Sequence, residues 1–210
     1  MRQKDVRGLY AVTPDETDTD KLVGMVEQAL RGGAILVQYR NKGAGAAEKR
    51  RQAEALVSLC RRYGRPLIVN DDAALAVAVD ADGVHLGGDD GDLAQARSMI
   101  GPDRLLGASC YNGMALAVAA QAAGADYLAF GAAFASSTKP GAVRAPLDLY
   151  RRAKAIGLPI VAIGGITAHN ARTLIDAGAD AVAVISALFD SPDIPATART
   201  FASLFNTRTA

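Results

Sequence analysis

AGADYLAF at residues 123–130 returns almost unchanged as AGADAVAV at 177–184, and looser versions stand at 80–86 (DADGVHL) and 31–37 (RGGAILV). Each reads as a glycine-bearing helix exit that runs straight into a short apolar strand. Glycine tolerates the left-handed conformation that closes a helix. An unbroken apolar run suits a strand covered on both faces. The repeat therefore marks recurring joints between helix and strand, not separate domains.

Working outward from these joints, short β-branched runs alternate with Ala-rich helical segments along the whole chain. Strands are expected at 8–13, 34–40, 66–70, 83–87, 105–109, 127–131, 159–164 and 181–186, with helices at, for example, 20–31, 46–63, 113–123, 147–156 and 168–177. Regular βα alternation makes a parallel sheet, and eight such units favour closure into a (β/α)8 TIM barrel, an α/β fold. An open doubly wound sheet is the alternative, although such sheets usually have five or six strands. The 210 residues suit one barrel domain spanning 1–210, since single α/β barrels run to about 250.

Composition narrows the function classes. Half the residues are apolar, and 23 basic residues face 22 acidic ones for a formal charge of +1, which lacks the positive excess that nucleic acid binding requires. No uncharged stretch approaches the roughly 18 apolar residues of a membrane span, and the start MRQKDVRGLY has no apolar run behind it to act as a secretion signal. Cys60 and Cys110 are the only cysteines, too few for a disulfide framework and without zinc-site spacing. A cytoplasmic protein acting on small molecules is expected, with homo-oligomerisation left open.

In a TIM barrel the chemistry sits where strands end and βα loops begin. The second strand ends VQYRNK (37–42). Side-chain alternation puts Gln38, Arg40 and Lys42 on one face and turns Val37 and Tyr39 towards the helices. An amide donor, a guanidinium and an ammonium at the mouth suit a pyrophosphate, although solvated, salt-bridged loop cations would read the same way. The third strand ends NDD (70–72) and the fourth is followed by GGDD (87–90). Asp71 and Asp90 could share a hard cation that keeps waters and a substrate phosphate, as magnesium does. Asp71 or Asp72, and Asp89, Asp90 or Asp92, could instead cap the helices that follow.

Ser109 stands at the rim after the fifth strand, and AFASSTKPGA (133–142) follows the sixth. Ser136, Thr138 and Lys139 can donate to phosphate oxygens, with Pro140-Gly141 bending the loop; a solvated loop is the other reading. Gly164 and Gly165 after the seventh strand permit close backbone approach. Amides at the start of the final helix, after VISAL (184–188), can receive a phosphate. His85 shares the parity of Gly83 and Gly87 and faces inward, as a pocket wall or a core histidine. His169 starts the seventh helix at the surface. No Ser-His-Asp or Cys-His arrangement is evident.

With these residues placed, the chain resembles the thiamine-phosphate synthase family. LYAVTP, VQYRNK, LIVNDD, ADGVHLGGDD, GASCYN, GADYLAFGAAFASSTKPGA, VAIGGITAHNA and GADAVAVISALF occur in the family's order over nearly the whole chain. The resemblance implies a magnesium-dependent transferase that joins a hydroxymethylpyrimidine pyrophosphate to a thiazole phosphate, or its carboxylated form, and releases pyrophosphate. It further implies that Gln38, Arg40, Lys42 and Asn70 hold the pyrimidine pyrophosphate, and that Asp71 and Asp90 bind Mg2+. Ser109 and Lys139 would contact the pyrophosphate or its pocket, with Lys42, Ser109 and Lys139 as the catalytic set. Ser136, Thr138, Gly165, Ile185 and Ser186 would form the thiazole phosphate site. Tyr39 and Asn41 stand where family members often have Leu and Glu, Ser136 replaces a threonine, and Ser109-Cys110-Tyr111 replaces Ser-Thr-His. A thiazole tautomerase of related fold would need a general base but no pyrophosphate cradle. A non-catalytic phosphate-ligand sensor is the rival from another class.

Overall fold

The computed structural model describes residues 6–88, 91–135 and 143–206, and in it eight parallel strands close on themselves in chain order. The strands are β1 (Gly8–Val12), β2 (Leu36–Tyr39), β3 (Leu67–Asn70), β4 (Gly83–Leu86), β5 (Leu105–Tyr111), β6 (Tyr127–Phe130), β7 (Ile160–Ile163) and β8 (Ala181–Val184). Around them lie α1 (Thr19–Arg31), α2 (Ala46–Arg62), α3 (Ala73–Ala78), α4 (Leu93–Ile100), α5 (Met114–Ala122), α6 (Leu147–Ala153), α7 (Ala171–Asp176), α8 (Ser186–Phe189) and α9 (Ile194–Ser203). The closed parallel barrel expected from the alternation is present, and the open sheet is excluded by the pairing of β1 with β8. Among the described residues no helix is long and apolar enough to cross a membrane.

Element ends differ from expectation for local reasons. β2 starts at Leu36 because the Ala34 amide still donates back to the Ala29 carbonyl, at 3.1 Å, as part of the α1 exit. β5 runs on to Tyr111, which pairs with Phe130 across a register shift between Ser109 and Tyr111. α7 begins at Ala171, not 168, because Thr167 and Asn170 form a turn in which Asn170 Oδ1 accepts from the Thr167 amide at 2.8 Å. His169 therefore precedes that helix, and it is exposed. The helix that opens at Ser186 is a single turn and is not the last, since α9 follows.

Two apolar layers hold the barrel. Inside it, Tyr10, Val12, Leu36, Ile68, Leu105, Tyr127 and Val161 fill the axis; a larger layer between strands and helices includes Leu9, Val37, Leu56, Leu67, Leu128 and Leu174. The repeated joints close the amino-terminal end of the barrel. Asp82, Asp126 and Asp180 each accept from a strand-start amide on the preceding strand, Leu67 and Leu106 at 2.9 Å and Ile160 at 2.8 Å. Arg97 pairs with Asp126, and Lys154 reaches Asp180 at 2.8 Å. In three of the four joints an aspartate thus fastens one strand to its neighbour, a task that the glycine and apolar pattern left unspecified; the joint at 31–37 has none.

Candidate functional site

All eight strands point the same way, so every βα loop leaves from one rim. On that rim the first three loops build a polar bracket. The Thr13 hydroxyl donates to the Arg40 carbonyl and accepts from the Arg40 amide, both at 2.8 Å, which locks the end of β2 to the end of β1. Asp15 Oδ1 then takes two donors, the Lys42 amide at 2.8 Å and the Arg40 guanidinium at 3.2 Å. Behind them the Tyr39 hydroxyl donates to Gln52 Oε1 of α2 at 2.9 Å, and the Gln52 and Asn41 amides both donate to the Glu16 carbonyl at 2.8 Å. Tyr39 faces the helices, as alternation requires, and Gln38 faces the barrel axis, where it is buried.

Asp71 follows β3 with φ of 64°, a left-handed conformation that is uncommon outside glycine and that Asp adopts more readily than most residues. Its amide donates to the His85 carbonyl at 2.8 Å, which holds the turn. The carboxylate lies 3.7 Å from Lys42 Nζ. Lys42, Lys49, Asn70 and Asp71 line a cleft of ≈ 270 Å³. The capping alternatives resolve in part: Asp72 caps α3 by accepting from the Leu75 amide, and Asp92 caps α4 by accepting from the Gln95 amide, each at 2.8 Å. The α3 cap is therefore Asp72, although both Asp71 and Asp72 line the cleft. Among the described residues no three His, Cys, Asp or Glu side chains gather into a metal cluster. One or two carboxylates with waters and phosphate oxygens fit magnesium nonetheless, because it dehydrates reluctantly and favours oxygen ligands.

Ser109 lies at the rim within a longer chain of contacts. Gln38 Nε2 donates to the Tyr10 hydroxyl at 2.8 Å, the Tyr10 and Tyr127 hydroxyls meet at 2.9 Å, Tyr127 meets His85 Nδ1 at 3.1 Å, and His85 Nε2 meets Ser109 Oγ at 2.9 Å. His85 is both of the things its parity allowed, a buried residue and a partner of a rim serine. Tyr111 follows with φ of 50°, and its hydroxyl accepts from the Gly88 amide at 3.0 Å. It thereby ties the loop after β5 to the loop after β4.

On the opposite arc, the Ala133 and Phe134 amides donate to the Ile163 and Gly164 carbonyls at 2.9 Å. Gly165 has φ of 64°, and a Cβ there would collide with the Phe134 and Ala135 carbonyls. Close backbone approach between the loops after β6 and β7 thus explains this glycine. Ile185 is the N-cap of α8 and Ser186 its first residue. Asp90, Ser136, Thr138 and Lys139 lie outside the described residues.

Neither cysteine offers a nucleophile, since burial pushes the thiols of Cys60 and Cys110 up to about 12. Sequence reasoning missed Asp15, Thr13, Gln52, Tyr10 and Tyr127. The TPDE segment at 13–16 directly after β1 was the one available signal for the first two.

The thiamine monophosphate synthase family model matches residues 9–188. The chain belongs to this family. Thiamine-phosphate synthase of Methylobacillus flagellatus is 60% identical over 201 residues, covering 96% of both chains. That of Aromatoleum aromaticum is 54% identical over 207 residues, covering 98% of this chain and all of its own. Among solved structures, thiamine phosphate pyrophosphorylase from Pyrococcus furiosus superposes with a TM-score of 0.87 at 34% identity, covering 97% of each chain.

Proposed function

We propose that the chain is a transferase that joins an aminopyrimidine methylene, delivered as its pyrophosphate, to the ring nitrogen of a thiazole phosphate, yielding thiamine phosphate and pyrophosphate. The observation that carries this reading is the bracket on the rim: Asp15 and Thr13 hold the Arg40–Lys42 segment in place, with Asn70 and Asp71 beside it. A guanidinium held by Asp15 and, two residues on, an ammonium 3.7 Å from Asp71 are suited to a departing diphosphate.

In the reaction the C–O bond between methylene and pyrophosphate breaks, and its electron pair leaves on oxygen. The thiazole nitrogen then supplies the pair for the new C–N bond. Arg40 and Lys42 meet the charge that develops on the leaving group, while Gln38, Asn70 and Ser109 orient the pyrimidine. Lys139 joins the pyrophosphate side. Ser136 and Thr138, with the amides near Gly165, Ile185 and Ser186, hold the thiazole phosphate. Asp71 and Asp90 would hold Mg2+, which supplies further neutralisation of the pyrophosphate when bound. No side-chain nucleophile is required, in keeping with the two buried, protonated thiols. The setting proposed is the cytoplasm.

The high identity to synthases over the full chain supports this reading over a tautomerase or a sensor. A turnover assay with both substrates, with and without magnesium, tests it: thiamine phosphate is expected only when both substrates and metal are present, and no product under these conditions overturns it. Asp71→Asn is expected to raise the magnesium concentration for half-maximal rate by about tenfold, the scale of losing a charged ligand. An unchanged titration would remove Asp71 from the metal site.

A further inference from the structure

Five side chains from five strands form a connected path across the barrel interior: Gln38 (β2), Tyr10 (β1), Tyr127 (β6), His85 (β4) and Ser109 (β5). Gln38, Tyr10, His85 and Tyr127 are all buried, with exposures of 5%, 1%, 7% and 0%. Their ring geometry is specific, since Tyr127 stacks on His85 with an interplanar angle of 22° and meets Tyr10 edge-on at 78°. The barrel makes room for this arrangement at Gly107, where a Cβ would strike the Tyr127 hydroxyl and His85 Nδ1.

The path has a direction. Burial holds both tyrosines well above the ordinary phenol range, so each keeps one O–H proton to donate. At one end the Gln38 amide nitrogen can only donate, and it points at the Tyr10 oxygen. The Tyr10 proton must then go to Tyr127, because turning it to Gln38 would set donor against donor. Tyr127 in turn gives its proton to His85 Nδ1, which fixes His85 as the Nε2–H tautomer. His85 Nε2 donates to Ser109 Oγ, which is left with its own proton to place.

We propose that Tyr10, Tyr127 and His85 are positioning residues: they pass hydrogen bonds one way from the Gln38 amide to Ser109, and so reserve the Ser109 hydroxyl proton for an acceptor nitrogen of the bound pyrimidine. Gln38 keeps its carbonyl oxygen to accept, so the two ends of the path offer one acceptor and one donor. An aminopyrimidine edge, with an amine beside a ring nitrogen, presents the complementary pair. This last step rests on the pyrimidine reading above, whereas the direction of the path does not.

The chain contains two histidines, so 15N NMR of the labelled protein in mildly alkaline buffer without substrate reads the tautomer directly, with the exposed His169 as internal reference. His85 is expected with a protonated Nε2 and a bare, hydrogen-bonded Nδ1; a protonated Nδ1 in the wild-type chain overturns the proposal and needs no variant. In Tyr127→Phe the Nδ1 resonance is expected to move towards that of an imidazole nitrogen without a donor, and an unmoved resonance overturns it. In the synthase assay Tyr127→Phe is expected to lower kcat roughly 10- to 100-fold, the usual scale for removing a group that orients a functional one, with KM for the thiazole phosphate unchanged. A normal kcat overturns the positioning role. A wild-type protein that makes no thiamine phosphate would instead sink the reaction while leaving the tautomer result standing.

Discussion

The two ends of this barrel use the same residue type for opposite purposes. At the amino-terminal end, Asp82, Asp126 and Asp180 are consumed by neighbouring strand amides, and two of them by a cation from the surrounding helices as well. At the carboxy-terminal end, Asp15 is used similarly, but what it fastens are the Arg40 guanidinium and the Lys42 backbone amide, on the segment proposed above to meet the pyrophosphate. Asp71 stands beyond it in a left-handed turn, facing a cleft. One end spends its carboxylates on closing the structure, and the other, on the function proposed above, arranges charge for a ligand. This division is what a barrel permits, because loops on one rim can vary while the opposite rim keeps the strands in register.

Three substitutions press on that contrast. The largest effect is expected at Lys42→Ala, which should lower turnover by roughly 10²- to 10³-fold, as loss of one preorganised charge donor does, with the thermal midpoint little changed because the side chain is largely exposed. A rate near wild type would leave Lys42 as a solvated lysine. Asp126→Ala should do the reverse. It strands the Leu106 amide and takes the charge partner from Arg97, whose guanidinium keeps its bonds to the Gly101, Arg104 and Gly124 carbonyls, a loss of about 2 kcal/mol that lowers Tm by several degrees for a chain of this size, while kcat stays normal. A large fall in kcat without a fall in Tm would erase the distinction between the ends. Asp15→Ala is intermediate in kind and smallest in size: it frees Arg40 and the Lys42 amide, so KM for the pyrophosphate substrate should rise about tenfold, equivalent to about 1.4 kcal/mol. An unaltered KM would show that the bracket does not depend on Asp15.

How much of this was legible in the sequence depends on the range of the contact. The eight strands and their joints follow from local pattern, and the inward set Gln38 and His85 follows from parity alone. Strand ends were placed less well, as at β5, where a bulge after Ser109 carries pairing on to Tyr111; nothing in GASCYN announces it. The fastening role of Asp126, the bracket made by Asp15 and Gln52, and the Tyr10–Tyr127 contact all join residues far apart in the chain. An aromatic residue in a barrel strand reads as core whether or not its hydroxyl has a task, so Tyr10 and Tyr127 carried no separate signal. Asp90, Ser136, Thr138 and Lys139 fall outside the described residues, and their roles rest on the family resemblance.

Gly107 has an implication for how this interior could ever be altered. The fifth stave is thinned at one rung, and two rings from the flanking staves meet across the vacancy. Any side chain on that rung, even a methyl, would evict one ring. Redesign of the pocket therefore has to begin from an absence, and every other change inside the cylinder is conditional on keeping it.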